Sequence, residues 1–231
     1  VADAILWPDV ARMPGGERLL KRDEDLIRQR ARARYARHAA GYDLTCGPTM
    51  PIRHRAAAAL QLQPGERVLD VGCGTGLSLQ LLRQAVGEAG RVWGFDHSPE
   101  MLAQARAKVA AAGWTNVEVI ESAAQHLRLP EPVDALLFHY THDILRSPTA
   151  LDALLALARP GARVAVAGIK YFPRWLEPLN LWVYWKNVGY NGAPGELRTP
   201  WDRLAPRLHD WQRSDTQWGM GYLACGVVPS R

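Results

Sequence analysis

The chain has 231 residues and a formal net charge of +5, and 48% of its residues are hydrophobic and 22% charged. Such a chain can bury a sizeable core, and its length is ordinary for one α/β domain but cramped for two. Because no uninterrupted apolar stretch approaches the roughly 18 residues of a membrane span, the sequence predicts a single domain over residues 1–231 that does not cross a bilayer.

The chain begins with a basic region. A helix is predicted over residues 18–40, where arginine and lysine supply much of the excess positive charge. Such a surface can contact nucleic acid or an anionic membrane, although a charged helix face is more often simply solvated. Peripheral membrane contact through this helix therefore stays open as one interpretation. A second helical stretch follows at 52–62, and residues 1–62 together are predicted to form a helical cap.

The cysteines and the N-terminus bear on location. Cys46, Cys73 and Cys225 are far apart and lack the spacing of a zinc site or of a small disulfide framework. The first residues lack the basic flank and apolar centre of a signal peptide. These features predict a cytoplasmic protein with reduced thiols and no metal site, peripheral to the membrane if the basic helix binds lipid.

Short apolar runs alternate with longer helical ones in the centre of the chain. Ser98 followed by Pro99 and Ser147 followed by Pro148 are helix-start signals, and Gly113 can close the first of these helices. Strands joined by helices require crossover connections, which produce a parallel sheet covered on both faces. The predicted strands are 67–72, 91–96, 117–121, 134–140 and 162–168, and the predicted helices are 77–86, 99–113 and 148–158.

The remainder of the chain completes the predicted fold. Residues 171–208 hold five prolines among many aromatic residues and are predicted to form a lid or substrate-facing segment. Residues 209–231 alternate enough to form a closing hairpin. With the core at 63–170, we predict an α/β fold of the Rossmann-like, doubly wound kind: a mostly parallel seven-stranded sheet with helices on both faces and an antiparallel C-terminal hairpin.

The first predicted strand runs into the glycine-rich stretch "LDVGCGTG". A strand that ends in Gly72, Gly74 and Gly76 and passes into a helix turns sharply and lets a ligand approach the backbone closely. A dinucleotide-binding turn would read G-x-G-x-x-G, and its third glycine would fall on Leu77. The observed G-x-G-x-G spacing therefore disfavours a nicotinamide-dependent enzyme.

An acidic residue ends the second predicted strand. Asp96 lies twenty residues beyond the last glycine of the turn, where a carboxylate can accept hydrogen bonds from both hydroxyls of a ribose. The glycines could serve the turn alone, and the aspartate could merely start a helix. Their combination at the ends of adjacent strands favours a nucleoside-binding site.

These features resemble those of the class I S-adenosylmethionine-dependent methyltransferases, particularly the type 11/25-like members. The resemblance covers about residues 35–228 and implies that the glycine turn, preceded by Asp70, faces the methionine part of the cofactor. In "RYARHAAGYDL" it implies that Tyr42, or secondarily Tyr35, closes over the cofactor. In "FDHSPEMLAQAR" it implies that His97 and Met101 lie beside ribose and adenine, and "RPGARVAVAG" matches the turn into the fifth strand.

The third motif departs from the family pattern. "IESAAQHL" has Ser122 and Ala123 where relatives commonly place glycine and aspartate beside the adenine amine. Without that carboxylate, adenine recognition would rest on backbone groups, on Ser122 or on Gln125.

Catalytic candidates follow the fourth predicted strand, which ends "LLFHYTHD". Ligands of open α/β sheets bind beyond the carboxyl ends of the strands, so His139, Tyr140 and His142 can face the transferred methyl group. A histidine can take a proton near neutral pH, and Asp143 is available to orient it. We predict Tyr140 and His142 as catalytic residues and His139 as a cofactor-pocket residue. The alternative is that these side chains only line the pocket.

The resemblance implies transfer of a methyl group from S-adenosylmethionine to a nitrogen or oxygen of a small molecule or lipid head group. A narrower likeness to bacterial phosphatidylethanolamine N-methyltransferases rests mainly on shared cofactor motifs. The alternative function is a catalytically silent cofactor-binding or membrane-docking scaffold. A nucleic-acid partner is disfavoured because "FHYTHD" replaces the base-methylating motif, and the sequence does not specify an oligomeric state. Aromatic residues after the fifth strand favour an apolar or aromatic substrate: Trp175, Trp182, Tyr184, Trp185, Tyr190 and Trp201.

Overall fold

The structure is a computed structural model that describes residue 43, residues 46–187 and residues 197–230, without the side chains of residues 185–187. The predicted basic helix at 18–40 lies outside these residues, as do Tyr35, Tyr42 and Tyr190 and the side chain of Trp185. The expectations that rest on them stay predictions, and so does the division of the chain into cap, core, lid and closing strands.

Seven strands form one sheet in the order β3-β2-β1-β4-β5-β7-β6. The first five strands pair in parallel, whereas β7 is antiparallel to both β5 and β6. The predicted mostly parallel sheet with an antiparallel C-terminal hairpin is confirmed. The strands are β1 (Arg67–Val71), β2 (Arg91–Asp96), β3 (Val117–Glu121), β4 (Val133–His139), β5 (Ala158–Ile169), β6 (His209–Thr216) and β7 (Gly221–Val227).

Helices connect the parallel strands. Ser98 and Ser147 begin two of them as predicted, because their hydroxyl oxygens accept hydrogen bonds from the backbone N–H groups of Met101 and Ala150 at 3.4 and 3.3 Å. Gly113 follows the first of these helices with a φ of +64°, the left-handed conformation that ends many helices. The helices are α1 (Met50–Ala59), α2 (Leu79–Val86), α3 (Pro99–Ala111), α4 (His142–Leu145), α5 (Pro148–Ala156) and α6 (Glu177–Asn187).

Alternation along the strands creates two hydrophobic cores. In β4, Leu137 contributes to one core and Leu136 and Phe138 to the other, because successive side chains of a strand point to opposite faces. The first core packs against α1, α2 and α3, and the second packs against α4 and α5. Each fully buried leucine or phenylalanine contributes about 1.5–3 kcal/mol of hydrophobic stabilisation. The predicted helices on both faces are therefore present.

The segment after β5 contains α6 and several aromatic side chains. Asn180 connects α6 to the segment that follows β5. Its side chain accepts a hydrogen bond from the Phe172 N–H at 2.7 Å and donates one to the Phe172 carbonyl at 3.2 Å. Trp201 packs edge-on against Tyr222, with ring centroids 4.9 Å apart. Trp201 therefore fastens this segment to β7.

No helix within the described residues combines the length and the apolar character that a bilayer span requires. Cys46, Cys73 and Cys225 are all unpaired, as predicted.

Candidate active site

The glycine turn, residues 72–76, adopts the conformation that its sequence predicts. Gly72, Gly74 and Gly76 have φ values of +63°, +54° and +79°, which only glycine adopts readily. A Cβ atom on Gly72 would lie 2.8 Å from Thr141 Cγ2, and one on Gly76 would lie 2.8 Å from Leu79 Cδ1. A Cβ atom on Gly74 would meet nothing within 4 Å. The outer two glycines therefore permit close packing, and Gly74 faces open space that a ligand can enter.

Asp96 is hydrogen-bonded directly to this turn. Its Oδ2 atom accepts a hydrogen bond from the Gly74 N–H at 3.0 Å, and its Oδ1 atom accepts one from the Ser98 N–H at 3.0 Å. Asp96 is thus hydrogen-bonded both to the residue that begins α3 and to the glycine turn. An ionised carboxylate has about four acceptor positions, so two remain for the hydroxyls of a ribose. The two features that the sequence singled out lie together at the carboxyl edge of the sheet.

The other predicted cofactor-binding residues near Asp96 differ from one another in contacts and burial. His97 Nδ1 lies 3.4 Å from Asp96 Oδ1, whereas Met101 is buried in the helix that follows. Ser122 donates its N–H to the Asp96 carbonyl at 3.0 Å and its hydroxyl to the Ala123 carbonyl at 2.9 Å. The third motif, which departs from the family pattern, therefore lies next to Asp96. Its Ser122 and Ala123 supply no carboxylate at that position.

A buried arginine, which sequence reasoning missed, lies beside Asp70. Arg53 in α1 donates from Nη1 to the Ser78 hydroxyl at 2.6 Å, and both side chains are buried. Burial raises the pKa of Asp70 to about 7, although the positive charge of Arg53 and the Ser78 hydroxyl act in the opposite direction. Arg53 Nε and Asp70 Oδ2 have no hydrogen-bond partner. Helical spacing could have identified Arg53, because it lies three residues before the buried Ala56.

A second missed cluster connects the residue after Tyr42 to the glycine turn. Asp43 Oδ1 accepts a hydrogen bond from the Thr75 hydroxyl at 2.6 Å. Lys108 Nζ lies 2.6 Å from Asp43 Oδ2 and donates to the Thr75 carbonyl at 2.8 Å. We call Asp43, Thr75 and Lys108 the clasp. It holds residue 43 against the tip of the turn, although Tyr42 itself lies outside the described residues.

His139 and Tyr140 stand where β4 ends. The rings have centroids 4.7 Å apart, and the Tyr140 hydroxyl accepts a hydrogen bond from Gln217 Nε2 at 3.4 Å. Burial lowers the pKa of His139 well below its usual value and raises the pKa of Tyr140. The imidazole is therefore neutral at pH 7, and the phenol keeps its proton. Both ring nitrogens of His139 lack a hydrogen-bond partner.

His142 follows β4 and packs against the neighbouring strand β5. Its ring packs over Gly168 at the end of β5, where an added Cβ would lie 2.9 Å from His142 Cε1. Both ring nitrogens are buried without a partner, and burial lowers the pKa of His142 to about 4. Asp143 pairs instead with Arg146 at 2.7 Å. The expected orienting contact between Asp143 and His142 is therefore not formed.

Unsatisfied polar atoms concentrate at this edge of the sheet. Buried polar groups are normally hydrogen-bonded, so a cluster of unpartnered ones marks a place where water or a ligand binds. Within the described residues, all the buried side-chain nitrogen and oxygen atoms without a partner, except Arg163 Nε, belong to eight residues near the carboxyl ends: Arg53, Asp70, His139, Thr141, His142, Thr216, Gln217 and Tyr222.

Comparison with known proteins identifies the family. Residues 68–161 match the family described as "Methyltransferase domain". The chain is 35% identical over 141 residues to phosphatidylethanolamine N-methyltransferase from Cereibacter sphaeroides, which covers 60% of this chain and 66% of that protein. This chain belongs to the S-adenosylmethionine-dependent methyltransferases. The predicted family membership is confirmed.

Further comparisons show how far the likeness extends. Demethylmenaquinone methyltransferase from Shouchella clausii is 36% identical over 111 residues, 46% of the length of each protein. The chain thus spans less than two thirds of the length of these curated relatives. The crystal structure of N-methyltransferase NodS from Bradyrhizobium japonicum in complex with S-adenosyl-L-homocysteine superposes with a TM-score of 0.63 at 16% identity. That match covers 87% of this chain and 99% of NodS and shows a shared fold.

Proposed function

We propose that this methyltransferase moves a methyl group from S-adenosylmethionine to a nitrogen or oxygen atom of a small molecule or of a lipid head group. The observation that carries the proposal is the 3.0 Å hydrogen bond between the Gly74 N–H and the Asp96 carboxylate. This hydrogen bond supports the proposal because a glycine beside open space and an acid that could accept hydrogen bonds from a diol lie next to each other. A nucleoside with an amino-acid tail fits such a pair.

The residues present suit this cofactor. Asp96 would accept hydrogen bonds from the ribose hydroxyls, and the unpartnered Arg53 and Asp70 atoms would meet the oppositely charged carboxylate and ammonium of the amino-acid tail. Ser122 and the Ala123 backbone would lie towards the base, next to Asp96. When bound, S-adenosylmethionine supplies a methyl group on a sulfonium that is already a good leaving group.

The acceptor would lie against His139 and Tyr140. Holding reactants in line can lower a barrier by about 7–11 kcal/mol, so the main task of these side chains is orientation. The Tyr140 hydroxyl would orient the acceptor as a hydrogen-bond donor, because burial keeps its pKa high. Burial keeps the pKa of His139 well below its usual value, so its neutral imidazole can accept a hydrogen bond from the acceptor and help to orient it. His142 would support this region through its packing against Gly168.

The proposed substrate range has two supports. Residues 171–208, predicted as the substrate-facing segment, expose large apolar side chains that suit an apolar acceptor. The names of the two relatives refer to demethylmenaquinone and to phosphatidylethanolamine, both of which are lipids. An amine acceptor must lose its proton before attack, whereas a hydroxyl acceptor gains more from a nearby base.

Isothermal titration calorimetry with S-adenosylmethionine tests the cofactor part. Arg53→Gln should weaken binding by about tenfold or more, because a charge-assisted hydrogen bond contributes about 1.5–3 kcal/mol. Arg55→Gln is the matched control, an exposed arginine two residues further along α1, and should leave the affinity unchanged. No detectable binding by folded wild-type protein would refute the proposal.

Transfer of a labelled methyl group tests the catalytic part. The acceptor panel should contain phosphatidylethanolamine in mixed micelles, a naphthoquinol, small amines and catechols, with products identified by mass spectrometry. A product methylated on nitrogen or oxygen supports the proposal, whereas a product methylated only on carbon would contradict the proposed acceptor atom. Cofactor binding with no transfer to any acceptor would favour the silent-scaffold alternative.

A further inference from the structure

The surface carries several exposed large hydrophobic side chains. Within the described residues, they lie only between residues 175 and 184 and at residue 218. Trp218 is 97% exposed and Trp175 is 78% exposed. Single exposed apolar residues are common, but a contiguous group marks an interaction surface. We define the aromatic rim as Trp175, Leu179, Leu181 and Trp218.

The two segments of the aromatic rim adjoin in space. A Cβ atom on Gly219 would lie 3.4 Å from Pro173 Cδ, so the turn that carries Trp218 abuts the chain just before Trp175. Leu179 and Leu181 follow on α6 and are both exposed, whereas Asn180 and Val183 of the same helix are buried. The aromatic rim therefore draws on two neighbouring segments, the chain at 175–181 and the turn at residue 218.

The backbone at Trp218 is unfavourable for a bulky residue. Gln217, Trp218 and Gly219 have φ values of +49°, +59° and +92°. Left-handed conformations at non-glycine residues cost free energy and persist mainly where function requires them. This turn uses that strained geometry to project an indole ring into solvent, where the ring makes no compensating packing contact. An external partner that takes up the ring explains the cost.

We propose that the aromatic rim docks the protein onto the surface of an anionic phospholipid bilayer. Tryptophan concentrates at the boundary between lipid head groups and acyl chains, and leucine can insert below it. The charges complement anionic head groups: Arg174 is exposed beside Trp175. Glu177, the sole acid in the α6 sequence, is neutralised by Arg198 at 2.6 Å.

The aromatic rim also borders the active site. Gln217, next to Trp218, donates a hydrogen bond to the Tyr140 hydroxyl at the end of β4. Docking would thus bring the proposed acceptor site to the level of the head groups, where a membrane-dissolved acceptor is found. This advantage rests on the proposed function, but the docking itself needs no methyl donor. A failed vesicle experiment and a failed methyl-transfer experiment are therefore distinguishable.

Vesicle sedimentation with the full chain tests the proposal. Vesicles of phosphatidylcholine and phosphatidylglycerol should pellet the wild-type protein, and vesicles of phosphatidylcholine alone should pellet less. The double variant Trp175→Ser with Trp218→Ser should bind the anionic vesicles about tenfold or more weakly. Trp114→Ser is the control, since it removes a half-buried tryptophan far from the aromatic rim, before β3. Thermal unfolding of each variant verifies folding.

Three results would overturn the proposal. The first is wild-type protein that stays in the supernatant with anionic vesicles, as expected if residues 1–42 cover the aromatic rim. The second is unchanged vesicle binding by the double variant together with lost binding by Arg30→Glu, Arg32→Glu, Arg34→Glu, which would assign membrane contact to the basic helix. The third is a wild-type dimer that the double variant converts to a monomer without any vesicle binding, which would identify a second copy of the chain as the partner.

Discussion

Replacement of Asp70 by asparagine tests the electrostatics of the cofactor pocket. Burial raises the pKa of this carboxyl group from 3.8 to about 7 in the folded chain. Between these pH values the unfolded chain has released a proton that the folded chain keeps, so the free energy of unfolding falls as pH rises through the window. At 1.36 kcal/mol per pKa unit, the full cost above pH 7 is about 4 kcal/mol.

Asparagine cannot ionise, so the Asp70→Asn variant escapes this cost. Its free energy of unfolding should exceed that of the wild type, and the excess should be about 2–3 kcal/mol larger at pH 8 than at pH 5. Urea unfolding followed by circular dichroism, without cofactor, measures both values. Asp202→Asn, at an exposed aspartate, is the control and should show no such pH-dependent gain. A constant difference between pH 5 and pH 8, or an Asp70→Asn variant less stable than wild type at pH 8, would refute the reasoning.

Three further substitutions have expected outcomes. Asp96→Asn should raise the dissociation constant for S-adenosylmethionine by about tenfold or more, since an amide oxygen cannot serve both backbone donors and a ribose; unchanged calorimetry would contradict this. Gly168→Ala places a Cβ 2.9 Å from His142, so methyl transfer should fall while the affinity for the cofactor stays the same. The control Gly47→Ala has open space for its Cβ and should change neither quantity. Ser98→Ala removes a helix cap and should lower the free energy of unfolding by about 0.5–2 kcal/mol in a urea titration, and an unchanged midpoint would argue against the cap.

Local sequence signals determined most of the fold. Ser98 and Ser147 satisfy backbone donors within three residues, and the conformations of the three turn glycines depend on their own backbones. Such features can be predicted because the interacting groups are close in sequence. The start of β5 was missed, since the strand begins at Ala158 and not at 162. Proline and glycine at 159–161 resemble a turn, but pairing with β4 across a register shift extends the strand.

The site was harder to predict because its contacts join distant segments. Arg53 reaches the pocket only because α1 packs against β4 and β5, and no short motif contains both the arginine and Asp70. His142 belongs to a one-turn helix whose rotation decides where the ring points. Its packing over Gly168, 26 residues away in the chain, set that rotation. The position of His142 in the sequence predicted the correct edge of the sheet but not the orientation of its side chain.

The clasp has a practical meaning for anyone who shortens the chain. Within the described residues, the sheet and its crossover helices begin after residue 46, so a fragment trimmed there would retain all seven strands described above. It would, however, lose the ion pair between Lys108 Nζ and Asp43 Oδ2, which are 2.6 Å apart, and the hydrogen bond between Asp43 and Thr75 in the glycine turn. Such a fragment would keep this sheet but lose a contact at the glycine turn, so a negative methyl-transfer assay on it would not test the function proposed for the whole chain.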